Sequence, residues 1–274
     1  MTTPLDSFAK LERDGWERVA HKYDNAWSSL TRLFIPHLLQ AIQITKGMRL
    51  LDIASGPGYV AEAARLRGAN PTGVDFSEAM VRIAKERHPE IEFVKGDAQA
   101  LDFDDNSFDA LTMNFGLLHL PDPPAAFAEA SRVLRTGGRY GFTVWASPDQ
   151  SPGAKIVDDA VKAYADMSHR PPQGPDYFGY GDPDFCRQTL SKFDFDPESM
   201  SFQTITEEWE VPTASFLFES ESGAGVRTAA LLAAQQPEVL EKIRKQIEDS
   251  VRPYERGGGF ALPFAAHLVA ISRR

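Results

Sequence analysis

An α/β architecture, with a parallel sheet and helices on both of its faces, follows from three features of this 274-residue chain. Between residues 48 and 146, short apolar runs alternate with helix-like segments, the crossover spacing that parallel strands require. One junction, Leu50 to Val60, reads as a strand, a tight glycine turn and the start of a helix. The composition, 42% hydrophobic and 25% charged, supplies a sizeable core. The most apolar stretch, Phe260 to Ile271, is broken by Pro263 and His267 and is too short to span a bilayer.

The elements follow in chain order within one domain, 1–274. Residues 1–47 form a helical cover, in which Leu30, Leu33, Phe34, His37, Leu38 and Ile42 recur at helical spacing and Pro36 kinks or restarts the helix. Residues 48–146 are the ligand-binding core. Arg49 to Ala54 is its first strand, and Tyr59 to Leu66 a helix closed by Gly68. Pro71 to Phe76 is the second strand, and Ser77 caps a helix through Lys85. Ile91 to Val94 and Phe108 to Asn114 are the third and fourth strands. Pro123 and Pro124 open a helix that runs to Arg135 and stops at Gly137-Gly138, and Tyr140 to Trp145 is the fifth strand. Residues 147–200 are an insertion or lid, rich in Pro, Gly and Asp, with a helix near Lys155 to Met167. Residues 201–274 complete the sheet: Ser201 to Val211 as a strand, a helix marked by Leu240, Ile243, Ile247 and Val251, and Leu262 to Ile271 as the closing strand.

Charge and cysteine content narrow the function classes. With 29 Lys and Arg against 39 Asp and Glu, the formal net charge is −10, which argues against nucleic acid as the main partner. The single Cys186 excludes an intramolecular disulfide and a thiolate-rich zinc site. An acidic N-terminus replaces the basic start of a secretory leader, so the expectation is a soluble, cytoplasmic chain. The six histidines show no metal-ligand spacing, and no metal is expected.

The chemistry concentrates at successive strand ends. Gly56 and Gly58 let the backbone approach a ligand, and the following helix start offers N–H groups to a pyrophosphate or a carboxylate. Gly56-x-Gly58-x-x-Ala61 alone also passes as a dinucleotide fingerprint or an ordinary glycine turn. Asp52, four residues earlier, repels a pyrophosphate and attracts a protonated amine, which favours a ligand bearing an amino acid. Asp75 ends the second strand, where a carboxylate accepts both hydroxyls of a ribose; its bland alternative is an acid flanking a helix start. Phe76 and Met80 then offer apolar surface to a purine. After the third strand, Asp97 can accept the adenine amine while the Ala98 N–H donates to a ring nitrogen, the alternative being an acidic turn.

This series resembles the class I S-adenosylmethionine-dependent methyltransferases over residues 48–146. Acid-x-x-x-Gly-x-Gly matches as Asp52, Gly56 and Gly58, the second-strand acid as Asp75, and the third motif as Asp97-Ala98. Asn114 to Asp122 looks like the segment after the fourth strand, and Arg132 to Gly138 like the turn before the fifth. The resemblance implies a Rossmann-like seven-stranded sheet whose last strand is antiparallel, S-adenosyl-L-methionine as cofactor, and cofactor-binding roles for Tyr23, Asp52, Ala54, Gly56, Gly58, Asp75, Phe76, Met80, Asp97, Ala98 and Asn114. Within the family the chain is similar to the ubiquinone/menaquinone-type group. It keeps Tyr23-Asp24 of the N-terminal quinone signature but carries Ala26 and Trp27, and Thr143, Val144 and Ala146 stand where that group has an aliphatic residue, Glu and Ser. These departures count against a quinone substrate.

Three function classes remain in view. The leading one is methyl transfer to a small-molecule acceptor. His119, just past the fourth strand, is the candidate base, its alternative being a packing histidine. Trp145, Tyr177 and Tyr180 are candidates to line an aromatic substrate pocket. A nicotinamide oxidoreductase is disfavoured by Asp52 and by the lack of a Tyr-x-x-x-Lys pair. A cofactor-binding protein of the same fold that transfers no methyl group is the third, since fold alone does not fix the reaction.

Overall fold

The computed structural model describes residues 3–274. Its eight strands are β1 Arg49–Ile53, β2 Asn70–Asp75, β3 Glu92–Lys95, β4 Phe108–Asn114, β5 Leu134–Trp145, β6 Phe195–Val211, β7 Glu255–Arg256 and β8 Gly259–Arg273. They form one sheet in the order β3-β2-β1-β4-β5-β8-β6, with β7 pairing only with β8. β1 to β5 are parallel to one another, as the helical crossovers demand. β8 runs against them. Ala146 N–H donates to Ala265 O while Gly141 lies against Val269 O, so one strand descends as the other rises. β6 opposes β8 in the same way, through Ser199 with Ser272, Ser201 with Ala270 and Thr204 with His267. The seven-strand path with an antiparallel last strand is present, and the two-residue β7 adds an eighth.

Several elements match the expected bounds closely. The helix after the glycine turn is Tyr59–Leu66, and β4 is Phe108–Asn114. Ser77 Oγ accepts the Met80 N–H at 3.2 Å and starts the helix Glu78–Arg87. Asp122 caps the helix Pro123–Val133. That helix ends two residues early because Leu134 already pairs with Phe108; residues 135–138 then bulge before Arg139 resumes opposite Ala110. Pro36 restarts the helix at Ile35–Ala41 after a tight turn at Arg32–Phe34. The helix expected near Lys155–Met167 is Pro152–Tyr164.

The chain divides into two compact units. One runs to Leu30 and resumes over Ala146–Gln173 and Thr206–Ala266; the other comprises Thr31–Trp145, Gly174–Ile205 and His267–Arg274. The insertion expected at 147–200 is thus shared between them. In the first unit, the helix Pro4–Tyr23 opens on a reciprocal cap, Thr3 Oγ1 accepting the Asp6 N–H and Asp6 accepting the Thr3 N–H. Glu12 of this helix is buried against Arg227, and Trp27 stacks on Trp209 with ring centroids 5.4 Å apart. The second unit holds the parallel strands and a core that includes Leu51, Ile53, Leu111, Phe127, Phe142 and Phe195. No helix among the described residues is long and apolar enough to cross a membrane.

Candidate functional site

The carboxyl ends of β1, β2 and β4 in the second unit carry most of the residues singled out by sequence. Ligands of open parallel sheets bind at such strand ends. After β1 the backbone turns through Ala54 and Gly56 at φ 54° and 51° and Gly58 at φ 87°. A side chain at Gly58 would place its Cβ 2.6 Å from the Phe93 ring, so position 58 needs glycine for both conformation and space. Ser55 N–H donates to Val74 O, and Gly58 N–H returns to Ser55 O, both at 3.0 Å. Asp75 locks the turn: its Oδ2 accepts the Gly56 N–H at 2.8 Å and its Oδ1 the Ser77 N–H at 2.9 Å. A carboxylate in this place, at the end of β2, is positioned to accept from hydroxyl donors as well as from the backbone.

Asp52 is 1% exposed. It stands opposite Thr112 in the β1–β4 ladder, whose Oγ1 donates to Asp52 Oδ1 at 2.9 Å. Its Oδ2 is buried and has no hydrogen-bond partner among the described residues. Burial pushes the Asp52 carboxyl up to about 7, with the Thr112 bond and the nearby Ala61 N–H partly opposing and the Asp75 charge adding to the rise. A second orphan, Ser55 Oγ, lies in the same turn. Buried polar atoms without partners are uncommon and point to a missing donor or acceptor.

Asp97 and Ala98 follow β3. Asp97 is exposed, and its Oδ1 accepts from the Gln99 backbone N–H and side-chain amide at 2.9 and 3.0 Å, while Ala98 is buried. The acid therefore does form an acidic turn. Phe76 is half-buried, whereas Met80 is 3% exposed and presents little surface.

A second group gathers where β4 and β5 end. Asn114 lies opposite Thr143 in the ladder. Its Oδ1 accepts from Thr143 Oγ1 at 2.7 Å and its Nδ2 donates to Thr31 O at 3.2 Å, so both ends of the amide have protein partners. The Phe115 ring stacks on Trp145 with centroids 3.9 Å apart, and Phe34 meets both edge-on. His119 is half-buried at the end of the short turn Leu117–His119, and its N–H donates to Gly116 O. Tyr180, Tyr177 and Trp145 share one core cluster. Tyr180 is in the core against Phe127, and burial raises its phenol above the ordinary tyrosine range; Tyr177 is half-buried beside Phe178. Tyr23 belongs to the first unit, its ring against Trp16.

Thr112 and Thr143 were not singled out as site residues, although each is a hydroxyl in an otherwise apolar run of a central strand. Each pairs across the ladder with a polar residue at a strand end, and that pairing was the available signal. No group of three potential metal ligands occurs among the described residues.

A turn that couples an unpartnered buried carboxylate oxygen at Asp52 to a second strand-end carboxylate at Asp75 suits a ligand with an ammonium group and a vicinal diol. S-adenosylmethionine has both, whereas a dinucleotide would place a pyrophosphate beside Asp52. The profile of the methyltransferase domain family matches residues 51–142. A demethylmenaquinone methyltransferase of Renibacterium salmoninarum is 34% identical over 170 residues, 60% of this chain and 72% of that protein. The chain spans 54 to 64% of three further demethylmenaquinone methyltransferases that it matches. Among solved structures, the YcgJ protein of Bacillus subtilis superposes with a TM-score of 0.54 at 21% identity, covering 88% of this chain and 98% of that one. The [4+2]-cyclase SpnF superposes with a TM-score of 0.51 at 21% identity, over 90% and 83%. At such identity these two speak for the fold alone.

Proposed function

The chain belongs to the class I S-adenosylmethionine-dependent methyltransferases, in their ubiquinone/menaquinone-type group, and from that membership we propose that it methylates a small aromatic acceptor held beside Trp145. The observation that carries the cofactor half of this reading is the orphaned Asp52 Oδ2 at a glycine turn braced by Asp75. S-adenosylmethionine supplies a methyl group already activated on a sulfonium. Asp52 holds the ammonium, Asp75 the ribose hydroxyls, and Asp97 with the Ala98 N–H the adenine edge, while Phe76 flanks the purine. Trp145, stiffened by its stack on Phe115, offers a flat face on which an aromatic ring can be aligned for in-line attack. His119 takes the acceptor's proton.

The relatives' name makes a short-chain demethylmenaquinol the first acceptor to test, while Thr143, Val144 and Ala146 make simpler phenols the second. Incubation with methyl-labelled cofactor is expected to place label on an aromatic product. Tight cofactor binding without transfer to any acceptor would replace this reading with that of a protein that binds the cofactor and does other chemistry.

A further inference from the structure

Phe115 holds φ 58°, a left-handed conformation unfavourable for an aromatic residue, at the point where β4 leaves the sheet. Surrounding structure must impose it, and the atoms that do so can be identified. The Thr143 hydroxyl, on a side chain 1% exposed, accepts the Phe115 N–H at 3.0 Å and donates to Asn114 Oδ1 at 2.7 Å. Asn114 is in turn tied to Thr31 O. Without that hydroxyl the buried Phe115 N–H has no acceptor.

The turn so fixed has two consequences. It brings Gly116 so close to Ala54 that a Cβ there would lie 2.5 Å from the Ala54 Cβ, and Gly116 O receives the His119 N–H. It also lays the Phe115 ring on Trp145, with planes 22° apart. One hydroxyl therefore anchors both the turn that carries His119 and the face offered by Trp145.

We propose that Thr143 is a positioning residue for the acceptor, acting through Phe115 and Asn114; the proposal rests on the roles given above to Trp145 and His119. Thr143→Val keeps the shape and removes the hydroxyl, whereas Thr143→Ser keeps the hydroxyl. Two readouts test it: backbone amide hydrogen exchange, and methyl transfer to a short-chain demethylmenaquinol or simple phenol. In Thr143→Val we expect the Phe115 and Gly116 amides to exchange at least tenfold faster while those of Leu51 to Ile53 hold. Turnover should fall about tenfold and acceptor KM should rise, with the S-adenosylhomocysteine Kd within twofold of wild type. Thr143→Ser should restore all of these. Thr143→Ala removes the hydroxyl in a smaller side chain and is read the same way if Thr143→Val does not fold. Unchanged exchange, a folded Thr143→Ser as impaired as Thr143→Val, or cofactor affinity lost in step with turnover overturns the proposal. A wild-type protein that methylates no acceptor overturns the proposed function instead, and the exchange pattern then decides the role of Thr143 alone.

Discussion

Asp52 is held where its ionisation is costly, and its position explains both a stability and a binding effect. Its folded pKa, about 7, lies above the ordinary 3.8. Its protonated form is thus favoured by folding: the stabilisation is complete below pH 4 and is lost as pH rises through 7, at about 1.4 kcal/mol per pKa unit. Asp52→Asn should therefore raise the melting temperature of the ligand-free protein at pH 8 and bring little gain at pH 4.5; equal gains at both would exclude Asp52 as the titrating group. Asp75 acts differently, because its two backbone bonds close the glycine turn. Replacing it by Ala leaves two N–H groups unpaired and should weaken S-adenosylhomocysteine binding by roughly 1–3 kcal/mol in calorimetry. An unchanged affinity in a folded variant would move the ribose site elsewhere. For His119, loss of a general base predicts a fall in turnover of about 10²–10⁴-fold in His119→Ala with cofactor affinity intact. Near-normal turnover in a folded variant would leave His119 as a packing residue.

At the scale of elements, the glycine turn shows how one position couples two strands. Gly58→Ala must hold φ 87° and push its Cβ into the Phe93 ring of β3. Denaturant unfolding should show a loss of roughly 1–3 kcal/mol, the combined cost of strain and overpacking; a neutral result would mean that the Phe93 ring moves aside freely. The same turn was legible in sequence because glycines, strand-end acids and caps leave local signatures. The helix Pro4–Tyr23 falls within the helical cover expected over residues 1–47, but its bounds and inward face were not legible. Its inward positions are Phe8, Glu12, Gly15 and Val19, so charge and glycine interrupt the apolar stripe that marks an amphipathic helix. Glu12 is buried because Arg227 meets it, and Gly15 because Val226 fills the space where a side chain would be. Both compensations come from residues more than 200 positions away, beyond any local pattern. Tyr180, an aromatic in a Pro/Gly-rich stretch, reads in sequence as a pocket wall, and no local pattern shows that its ring packs on Phe127.

For the whole molecule, ligand binding to the folded state alone must raise stability, and its pH dependence reports which carboxylate is engaged. At a concentration of 100 Kd, S-adenosylhomocysteine should add about 2.7 kcal/mol and shift the melting temperature by several degrees. The ligand's ammonium pairs only with ionised Asp52, whose ligand-free pKa is about 7. At pH 8 that charge is in place. At pH 5.5, below that pKa, binding must first expel a proton, which weakens Kd by on the order of tenfold or more. The same ligand concentration then stands at a small multiple of Kd, and most of the stabilisation is lost. Asp52→Asn should show a small shift at both pH values, because a neutral amide neither titrates nor balances the ammonium. NAD, which brings a pyrophosphate towards the same carboxylate, should shift the wild-type melting temperature at neither pH. A thermal-shift series at pH 5.5 and 8 with both ligands and both proteins separates these outcomes. A pH-independent shift from S-adenosylhomocysteine would place its ammonium away from Asp52, and an equal shift from NAD would overturn the ligand class itself.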